Sequence, residues 1–379
     1  MTRGDRWLIV LPLALTALGV VMVYSSSAIL GLTRYQDPHY FLSRQLLRAA
    51  LGVVALLVFS RLDLKRLKSA SVPLLAIAAV LLMVVVAVGH VAKGASRWLK
   101  LGFLSLQPTD LARLAAVVFL AWWLERHPPA ERGFARGVLV PLAFVGVVAG
   151  LVLLQPNLSS AGLLGATGFL MIYLAGARVR HLLVPVAGGV AVVLVMLRLH
   201  PYELVRVRSF LDFLVHGTLQ ARGSGWQLDQ SLIAIGSGGW FGRGLGGGLQ
   251  KYLFLPEAHT DFIFSIFVEE LGVVGAITLL AAFAMLLWRG MRTTVRAADD
   301  PFRFLLAGGL TLQIGLYALA NLAVATGLAP TTGLPLPFVS YGGSALLVNL
   351  AMAGLLYRIS GDNASHEAVV RQRWAREPA

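Results

Sequence analysis

Cysteine is absent from this chain of 379 residues, and charged side chains are scarce. Without thiols the chain has no disulfide, no thiolate metal site and no cysteine nucleophile. Charged residues make up 13% of the sequence, against about 25% in soluble domains. Hydrophobic residues make up 57%, and the mean hydropathy is +0.76. These proportions exclude an ordinary soluble domain and indicate a polytopic membrane protein.

Acidic residues are especially few, since 18 Asp and Glu stand against 32 Lys and Arg, for a net charge of +14. Such an excess also occurs in nucleic-acid-binding proteins. Here, however, the basic residues concentrate at both ends and in short connections such as 61–68, 126–136 and 289–303. Lys and Arg mark the cytoplasmic side of membrane proteins, so we place both termini in the cytoplasm. The charge then reports topology and affinity for membrane lipids, and no nucleic-acid partner is expected.

Ten apolar stretches approach the length of about 20 residues that a spanning helix needs. The second is the weakest, because Arg44 and Arg48 lie in its first turns, where we expect them to extend to the headgroups. The predicted fold is an all-α integral membrane protein, with residues 1–360 as one membrane domain and 361–379 as a flexible cytoplasmic tail. The spans have the approximate bounds 7–28, 41–60, 71–91, 108–125, 138–155, 160–176, 181–199, 261–288, 303–327 and 343–359.

The longest connection, about 199–260, joins spans seven and eight and is predicted to be external. It is too apolar for disorder, so we expect short amphipathic helices at the outer leaflet. Its glycine-rich run, 236–248, permits either close approach to a ligand or a packed turn. The run lacks the Lys-Ser/Thr ending of a Walker loop.

The end of this connection crowds Glu257, His259, Thr260 and Asp261 against the apolar run 262–288. Thr260 is a candidate N-cap for the following helix. Two interpretations of Asp261 stay open. It is either a first-turn residue that stabilises the helix through its charge, or a base for a reaction at the membrane surface.

Two other external segments carry candidate functional residues. The stretch 93–100 surrounds Trp98 with basic residues, which suits either a lipid phosphate or ordinary interfacial anchoring. The last connection, 327–344, is rich in proline and glycine. Irregular backbone of this kind is tolerated near a membrane where it is buried in protein or lines a cavity. Because this connection and Asp261 face the same side, both can form walls of one site.

Two pairs of ionisable residues within the predicted spans are candidates for a functional or structural role. Asp110 and Arg113 lie three apart on one helix face and predict an internal ion pair. Glu269 and Glu270 lie about 12–13 Å into span eight. Carboxylates at that depth need partners or a wet cavity, so they act either as a proton or ion relay or as the structural partners of an intramembrane arginine.

Several segments together resemble the SEDS family of shape, elongation, division and sporulation proteins, which includes FtsW, RodA and SpoVE. The resemblance covers nearly the whole chain and is closer to FtsW than to RodA. The chain departs from the family pattern at Asn157, Asp110, Arg113 and Phe213, where Asp, Glu, Lys and Pro are usual. The segments that carry the resemblance are 40–45, 94–98, 223–227, 230–232, 255–264, 269–272 and 335–344.

The resemblance implies a peptidoglycan glycosyltransferase that polymerises lipid II at the outer face of the bacterial cytoplasmic membrane. It also implies a class B penicillin-binding protein, a transpeptidase, as partner. A divalent cation, Mg²⁺ or Mn²⁺, is implied as cofactor, with ligands that the sequence does not identify.

The chemistry implied is glycosyl transfer from a lipid pyrophosphate, which needs a base for the acceptor hydroxyl and cations for the departing phosphate. An inverting transfer needs one general base and no covalent glycosyl-enzyme. We assign Asp261 as that base. The substrate-binding candidates are Arg97, Trp98, Lys100, Arg206, Lys251, Glu257, His259, Thr260, Ser340, Tyr341, Gly342, Gly343 and Ser344.

Two other functions fit the same composition. One is a transporter that flips lipid II, in which Glu269, Glu270 and Arg113 would serve as intramembrane charges. The other is a non-catalytic scaffold for division enzymes.

Overall fold

The computed structural model describes residues 4–88, 90–92, 95–101, 104–199, 201–217 and 223–374. Fourteen α-helices account for most of this part of the chain. Their bounds are α1 Trp7–Tyr35, α2 Tyr40–Phe59, α3 Leu64–Ser69, α4 Ser71–Val88, α5 Pro108–Arg126, α6 Pro129–Phe134, α7 Val140–Leu153, α8 Leu158–Leu174, α9 Val179–Leu199, α10 Pro201–His216, α11 Ser224–Ser237, α12 Ile263–Arg296, α13 Pro301–Ala325 and α14 Gly343–Trp374. A π-helical segment, Ala135–Leu139, leads into α7.

Each of the ten predicted spans coincides with a helix, and the all-α membrane fold is confirmed. Within the described residues, seven helices are long and apolar enough to cross a membrane by length and composition. The helices α4 and α8 are apolar but shorter, and α5 carries Asp110 and Arg113 near its start. The span count of ten and the cytoplasmic placement of the termini stay predictions.

A small antiparallel sheet between α4 and α5 was not predicted from the sequence. Strands β1 His90–Ala92, β2 Ala95–Leu101 and β3 Leu104–Leu106 are arranged in the order β1-β2-β3. Trp98 pairs with His90 on one side of β2, and Leu99 pairs with Leu106 on the other. The sheet thus places the basic and aromatic stretch of 95–101 beside the start of α5.

Helices α13 and α14 form the interior of the bundle, because 72% and 78% of the residues in their most apolar stretches are buried. In the corresponding stretch of α9 only 6% are buried. Helix α14 packs closely on α2 through two glycines. A Cβ on Gly52 would collide with Leu350, and one on Gly354 would collide with the carbonyl oxygen of Leu56. Small residues at such contacts let helix backbones approach in lipid, where packing replaces the hydrophobic effect as the source of association.

Helix α12 is interrupted at Gly272, where φ is 68° and ψ is −169°. This conformation is accessible essentially only to glycine. A Cβ there would collide with the backbone of Trp240, Phe241 and Gly242. The glycine-rich segment 238–248 therefore lies directly against the interruption, which agrees with the packed-turn interpretation of that run.

The glycine-rich segment also forms hydrogen bonds with the backbone N–H and carbonyl groups of α12 that have no helical partner at the interruption. The N–H groups of Val273 and Val274 donate to the carbonyls of Gly239 and Trp240, at 2.9 and 3.1 Å. In return, the N–H groups of Arg243 and Gly244 donate to the carbonyls of Glu269 and Glu270, both at 3.0 Å. Broken helices at membrane depth are stable only when such groups find partners within the protein.

The connection after span seven, predicted to be external, contains two helices, α10 and α11, as expected, and α11 packs against α12. One predicted boundary differs from the structure. The last helix continues to Trp374, past the predicted start of the polar tail at 361. The flexibility of 361–379 stays a prediction, and residues 375–379 lie outside the described part.

Substituting Gly272 by Ala should destabilise the protein by about 1–3 kcal/mol or more, because the backbone would be strained and the new Cβ would meet the glycine-rich segment. The measurement is the Tm of the purified protein in detergent. The matched control is Gly146→Ala in α7, where a Cβ meets nothing within 4 Å and the helix should be slightly stabilised. Equal Tm values for the two variants would show that the interruption does not depend on glycine.

Candidate functional site

The segment 255–262 forms a tight turn ahead of α12 that is organised by Glu257. The carbonyl of Glu257 accepts the N–H groups of Thr260, Asp261 and Phe262, at 3.1, 3.1 and 3.3 Å. The hydroxyl of Thr260 donates to the Glu257 carboxylate at 2.9 Å. Glu257 itself has a φ of 57°, a strained conformation that is found preferentially at functional sites.

Asp261 lies outside the helix, so the prediction of a first-turn residue is wrong. Helix α12 begins at Ile263, its N-cap is Phe262, and its first turn contains no acidic residue. The predicted cap, Thr260, is instead bonded to Glu257 and belongs to the turn. The interpretation of Asp261 as a helix-stabilising charge therefore loses its geometric basis, and the half-buried carboxylate is held in the loop.

Asn321 of α13 joins the Asp261 turn to the last connection. Its side-chain amide donates to the carbonyl of Asp261 at 2.8 Å and to the carbonyl of Leu334 at 2.7 Å. On the same connection, a Cβ built on Gly333 would lie 3.5 Å from Oδ2 of Asp261. The two loops are thus in direct contact, as the sequence analysis expects. Asn321 was missed, because a single amide in an apolar span gives no signal of its partners.

His259 is buried between two aromatic rings. Its ring centroid lies 4.7 Å from that of Phe41 and 5.3 Å from that of Tyr341. The N–H of Tyr341 donates to the carbonyl of His259 at 2.9 Å, which again joins the turn to the last connection. The guanidinium carbon of Arg48 lies 4.3 Å from the Tyr341 ring, and Arg48 is only 6% exposed. Arg48 therefore does not extend to the headgroups as predicted, since its side chain is buried against the Tyr341 ring of the last connection.

Ser340 and Ser344 were predicted to bind substrate, but both are buried and have structural partners. The hydroxyl of Ser340 accepts the N–H of Leu336 at 2.8 Å. The hydroxyl of Ser344 donates to Asp110 at 2.6 Å and accepts the N–H of Gln107 at 2.8 Å. The first residue closes a turn, and the second ties α14 to α5. Their role in substrate binding stays a prediction.

Gly342 and Gly343 provide close packing in the same connection. A Cβ on Gly343 would lie 2.6 Å from the carbonyl oxygen of Ser105 and 3.2 Å from the ring of Trp98. A Cβ on Gly342 would lie 3.2 Å from that of Ala345. Trp98 therefore packs on the last connection, which places the small sheet beside the site.

The predicted phosphate-binding cations have different surroundings. Arg97 donates from Nε to the carbonyl of Gln155 at 2.9 Å and from Nη2 to that of Pro156. Arg206 lies 3.7 Å from the carboxylate of Glu203. The side chain of Lys100 lies outside the described residues.

Lys251 is not available to a pyrophosphate, and its prediction as a phosphate ligand is corrected here. Its ammonium group lies 2.8 Å from Glu270 and 3.2 Å from the hydroxyl of Ser25. Ser25 also donates to the Glu270 carboxylate at 2.7 Å. Because a buried charge must be paired, Lys251 neutralises Glu270 inside the protein.

The other intramembrane charges also have partners. The carboxylate of Glu269 accepts the N–H groups of Leu249 at 2.7 Å and Gln250 at 3.3 Å. Arg113 lies 3.4 Å from Asp110, which agrees with the predicted ion pair, and it donates to Asn349 at 2.9 Å. These contacts give Glu269, Glu270 and Arg113 structural roles. They account for the buried charges without a proton or ion relay.

The described residues bring no three His, Asp or Glu side chains together in a way that could hold a metal ion. Near the site, Asp261 and Glu257 supply carboxylates, and that of Glu257 accepts from Thr260. The expected divalent cation therefore lacks a cage of protein ligands in this part of the chain. That cofactor stays a prediction, and no chemical step is assigned to it.

Comparison with known proteins identifies the family. A family model for FtsW, RodA and SpoVE, described as "Cell cycle protein", matches residues 5–365. The chain belongs to this family. The match includes the Asp261 turn, the interruption of α12 and the last connection, so the site lies wholly within the shared region.

Related sequences agree with the family assignment along nearly their whole length. The chain is 39% identical to a probable peptidoglycan glycosyltransferase FtsW of Trichlorobacter lovleyi, over 95% of this chain and 94% of the relative. It is 37% identical to the stage V sporulation protein E of Bacillus subtilis, over 95% and 97%.

Solved structures give the same result. A chain from a peptidoglycan synthase complex has 32% identity and a TM-score of 0.77, covering 95% of this chain and 98% of that chain. The rod shape determining protein RodA of Thermus thermophilus has 30% identity and a TM-score of 0.70, covering 95% and 97%. The chain is therefore a multi-pass membrane protein with the fold of this family.

Replacing Asn321 by Leu should loosen the Asp261 turn, because two buried carbonyls would lose their donor at about 1–3 kcal/mol. The expected result is faster hydrogen exchange in peptides that cover 257–262 and 333–340. The matched control is Asn363→Leu, which removes a buried amide that donates to Thr293 at 3.1 Å. Exchange at 257–262 that is unchanged in the Asn321 variant would contradict the role given to this amide.

The Lys251–Glu270 pair should show strong coupling in a double-mutant cycle. Lys251→Met or Glu270→Leu alone strands a buried charge and should cost about 3–5 kcal/mol, whereas the double variant should cost much less than the sum. Tm values of the three purified variants provide the measurement. A Lys251→Met protein as stable as the wild type would show instead that this ammonium group is not needed inside the protein.

Proposed function

We infer that this chain is a peptidoglycan glycosyltransferase that polymerises lipid II into glycan strands at the outer face of the cytoplasmic membrane. The family membership and the names of its relatives support the activity. The observation that carries the proposal is the Asp261 turn. It holds the Asp261 carboxylate outside the helix, close to the last connection, on the side of the membrane that the charge distribution predicts to be external.

We propose an inverting transfer in which Asp261 is the general base. The acceptor hydroxyl oxygen forms a bond to the anomeric carbon of the donor while the bond from that carbon to the lipid pyrophosphate breaks. The bonding electron pair leaves on the phosphate oxygen, and the hydroxyl proton moves to the Asp261 carboxylate. A carboxylate held at this position can accept the hydroxyl proton as the bond forms.

The departing pyrophosphate needs positive charge near it. Arg206 and Arg97 remain candidates, and so does Lys100, while Lys251 is withdrawn because of its pairing with Glu270. Thr260 and Glu257 act as positioning residues, since they shape the turn that presents Asp261. His259 of the same turn is buried and packs against the ring of Tyr341 in the last connection.

The finer assignments belong to the same proposal. We place the chain in the FtsW branch of division proteins, in the inner membrane of a bacterium, with a class B penicillin-binding protein as partner. The likeness to a chain from a peptidoglycan synthase complex supports a partner of that kind. The flippase alternative loses its support, because the buried charges it would use are paired within the bundle.

Asp261→Asn should lower the rate of glycan polymerisation by about 10²–10⁴-fold, the usual contribution of a general base, without changing insertion or stability. The measurement is polymer formed from purified lipid II by the chain together with its transpeptidase partner, with the Tm as a check on folding. The matched control is Asp37→Asn, an exposed carboxylate on the same predicted side, which should retain wild-type activity. Near-normal polymer from the Asp261 variant would overturn the assignment of the base.

A further inference from the structure

A polar pocket of about 290 Å³ opens at the end of the bundle that the charge distribution assigns to the cytoplasm. It lies where the start of the chain meets α12 and α14, and the N–H of Asp5 donates to the hydroxyl of Ser360 there at 2.9 Å. Its charged lining consists of Arg289, Arg292, Arg296 and Asp5. Three guanidinium groups against one carboxylate make the pocket electropositive.

Among these residues, Asp5 and Arg289 form an ion pair. Asp5 lies 3.1 Å from Arg289, whose Nε is buried and makes no hydrogen bond among the described residues. Arg292 is exposed and lies 5.7 Å from the ring of Trp288, which is 56% exposed. An exposed tryptophan beside arginines is typical of the headgroup level of a membrane.

A second cavity, of about 500 Å³, lies along the same pair of helices. It is an apolar groove between α1 and α12, and its lining is almost entirely hydrophobic. The lining residues that matter here are Leu11, Ala14 and Leu18 of α1 and Val274, Thr278 and Ala282 of α12.

The groove and the pocket share one face of α12. Positions 274, 278, 282, 289, 292 and 296 recur at multiples of three to four residues, which places them in one stripe along a helix. Ala282 and Arg292 are separated by about 15 Å along the axis, at 1.5 Å per residue. One leaflet of hydrocarbon is about 15 Å thick, so an acyl chain beginning near Arg292 reaches the near end of the groove.

We propose that the seam between α1 and α12 binds a glycerophospholipid with an anionic headgroup from the inner leaflet. The phosphate contacts Arg292 and Arg296 in the polar pocket, and one acyl chain runs toward the groove at Ala14 and Ala282. Basic pockets between helices on the cytoplasmic side are known to suit anionic lipid headgroups. Positive charge at that end is expected of any span, but topology alone does not require a cavity with an apolar groove on the same stripe.

The test titrates the full-length protein in mild detergent with dioleoyl phosphatidylglycerol or dioleoyl phosphatidylcholine and counts bound lipid by native mass spectrometry. We expect the protein to bind phosphatidylglycerol in preference to phosphatidylcholine. The double variant Arg292→Gln/Arg296→Gln should weaken phosphatidylglycerol binding by about 30-fold. Each arginine contributes about 1 kcal/mol, and every 1.4 kcal/mol corresponds to about a tenfold change in affinity. The matched control, Arg178→Gln/Arg180→Gln, removes equal charge from another connection on the same predicted side and should bind as the wild type does.

Two further arms separate the lipid from other occupants. Ala14→Phe adds bulk from an exposed position of the groove and should weaken phosphatidylglycerol binding with an unchanged Tm. Inorganic phosphate at the same concentration should not compete. Equal binding of the two lipids, unchanged binding by the arginine variant, full competition by phosphate, or a groove variant that binds normally would each overturn the proposal. Replacement of the lipid by a partner's transmembrane helix would overturn it in favour of a docking groove.

Discussion

The structure depends on the hydrogen bonds that the glycine-rich segment makes to the backbone of α12 where the helix is interrupted at Gly272. A broken helix in the low-dielectric interior leaves N–H and carbonyl groups whose desolvation costs several kcal/mol each unless they are bonded. The glycine-rich segment supplies those bonds in both directions, with Val273 as donor and Glu269 as acceptor among them. A Cβ on Gly238 or Gly242 would lie 2.1 Å from a carbonyl oxygen of α12, so the packing requires glycine at these two positions. The turn that carries Asp261 is the next part of the same chain and is positioned by it.

The charged residues around this interruption hold the segment in place. Glu269 accepts N–H groups of the incoming chain, and Glu270 pairs with Lys251 and Ser25. These carboxylates are consecutive in the sequence and equally buried, yet their roles differ. Glu269 accepts backbone N–H groups, and Glu270 forms an ion pair with Lys251. Asp261 is half-buried and lies outside the helix, in the loops rather than in the interior of the bundle.

Much of the fold and of the site could be read from the sequence. Hydropathy located the ten helices, because a spanning helix must satisfy its own backbone and cover itself with apolar side chains. The motif at 255–264 identified Asp261, and the family resemblance gave it a role. The structural partners of Lys251, Ser340 and Ser344 could not be predicted from the sequence. Their residue types suit a ligand as well as a structural bond, and only the partner decides between them. Asn321 and Arg48 gave no separate signal within apolar helices.

The sequence by itself determined the membrane class, the helices and the predicted sidedness, because these follow from local composition and periodicity; the role proposed for Asp261 came from the family resemblance. The tertiary structure alone decided which polar groups meet. It placed Thr260 in a turn instead of at a helix cap, gave Glu270 to Lys251, and joined the Asp261 turn to the last connection through Asn321. The physical reason is that these pairings join segments far apart in the chain, and only the packing of the helices brings them together.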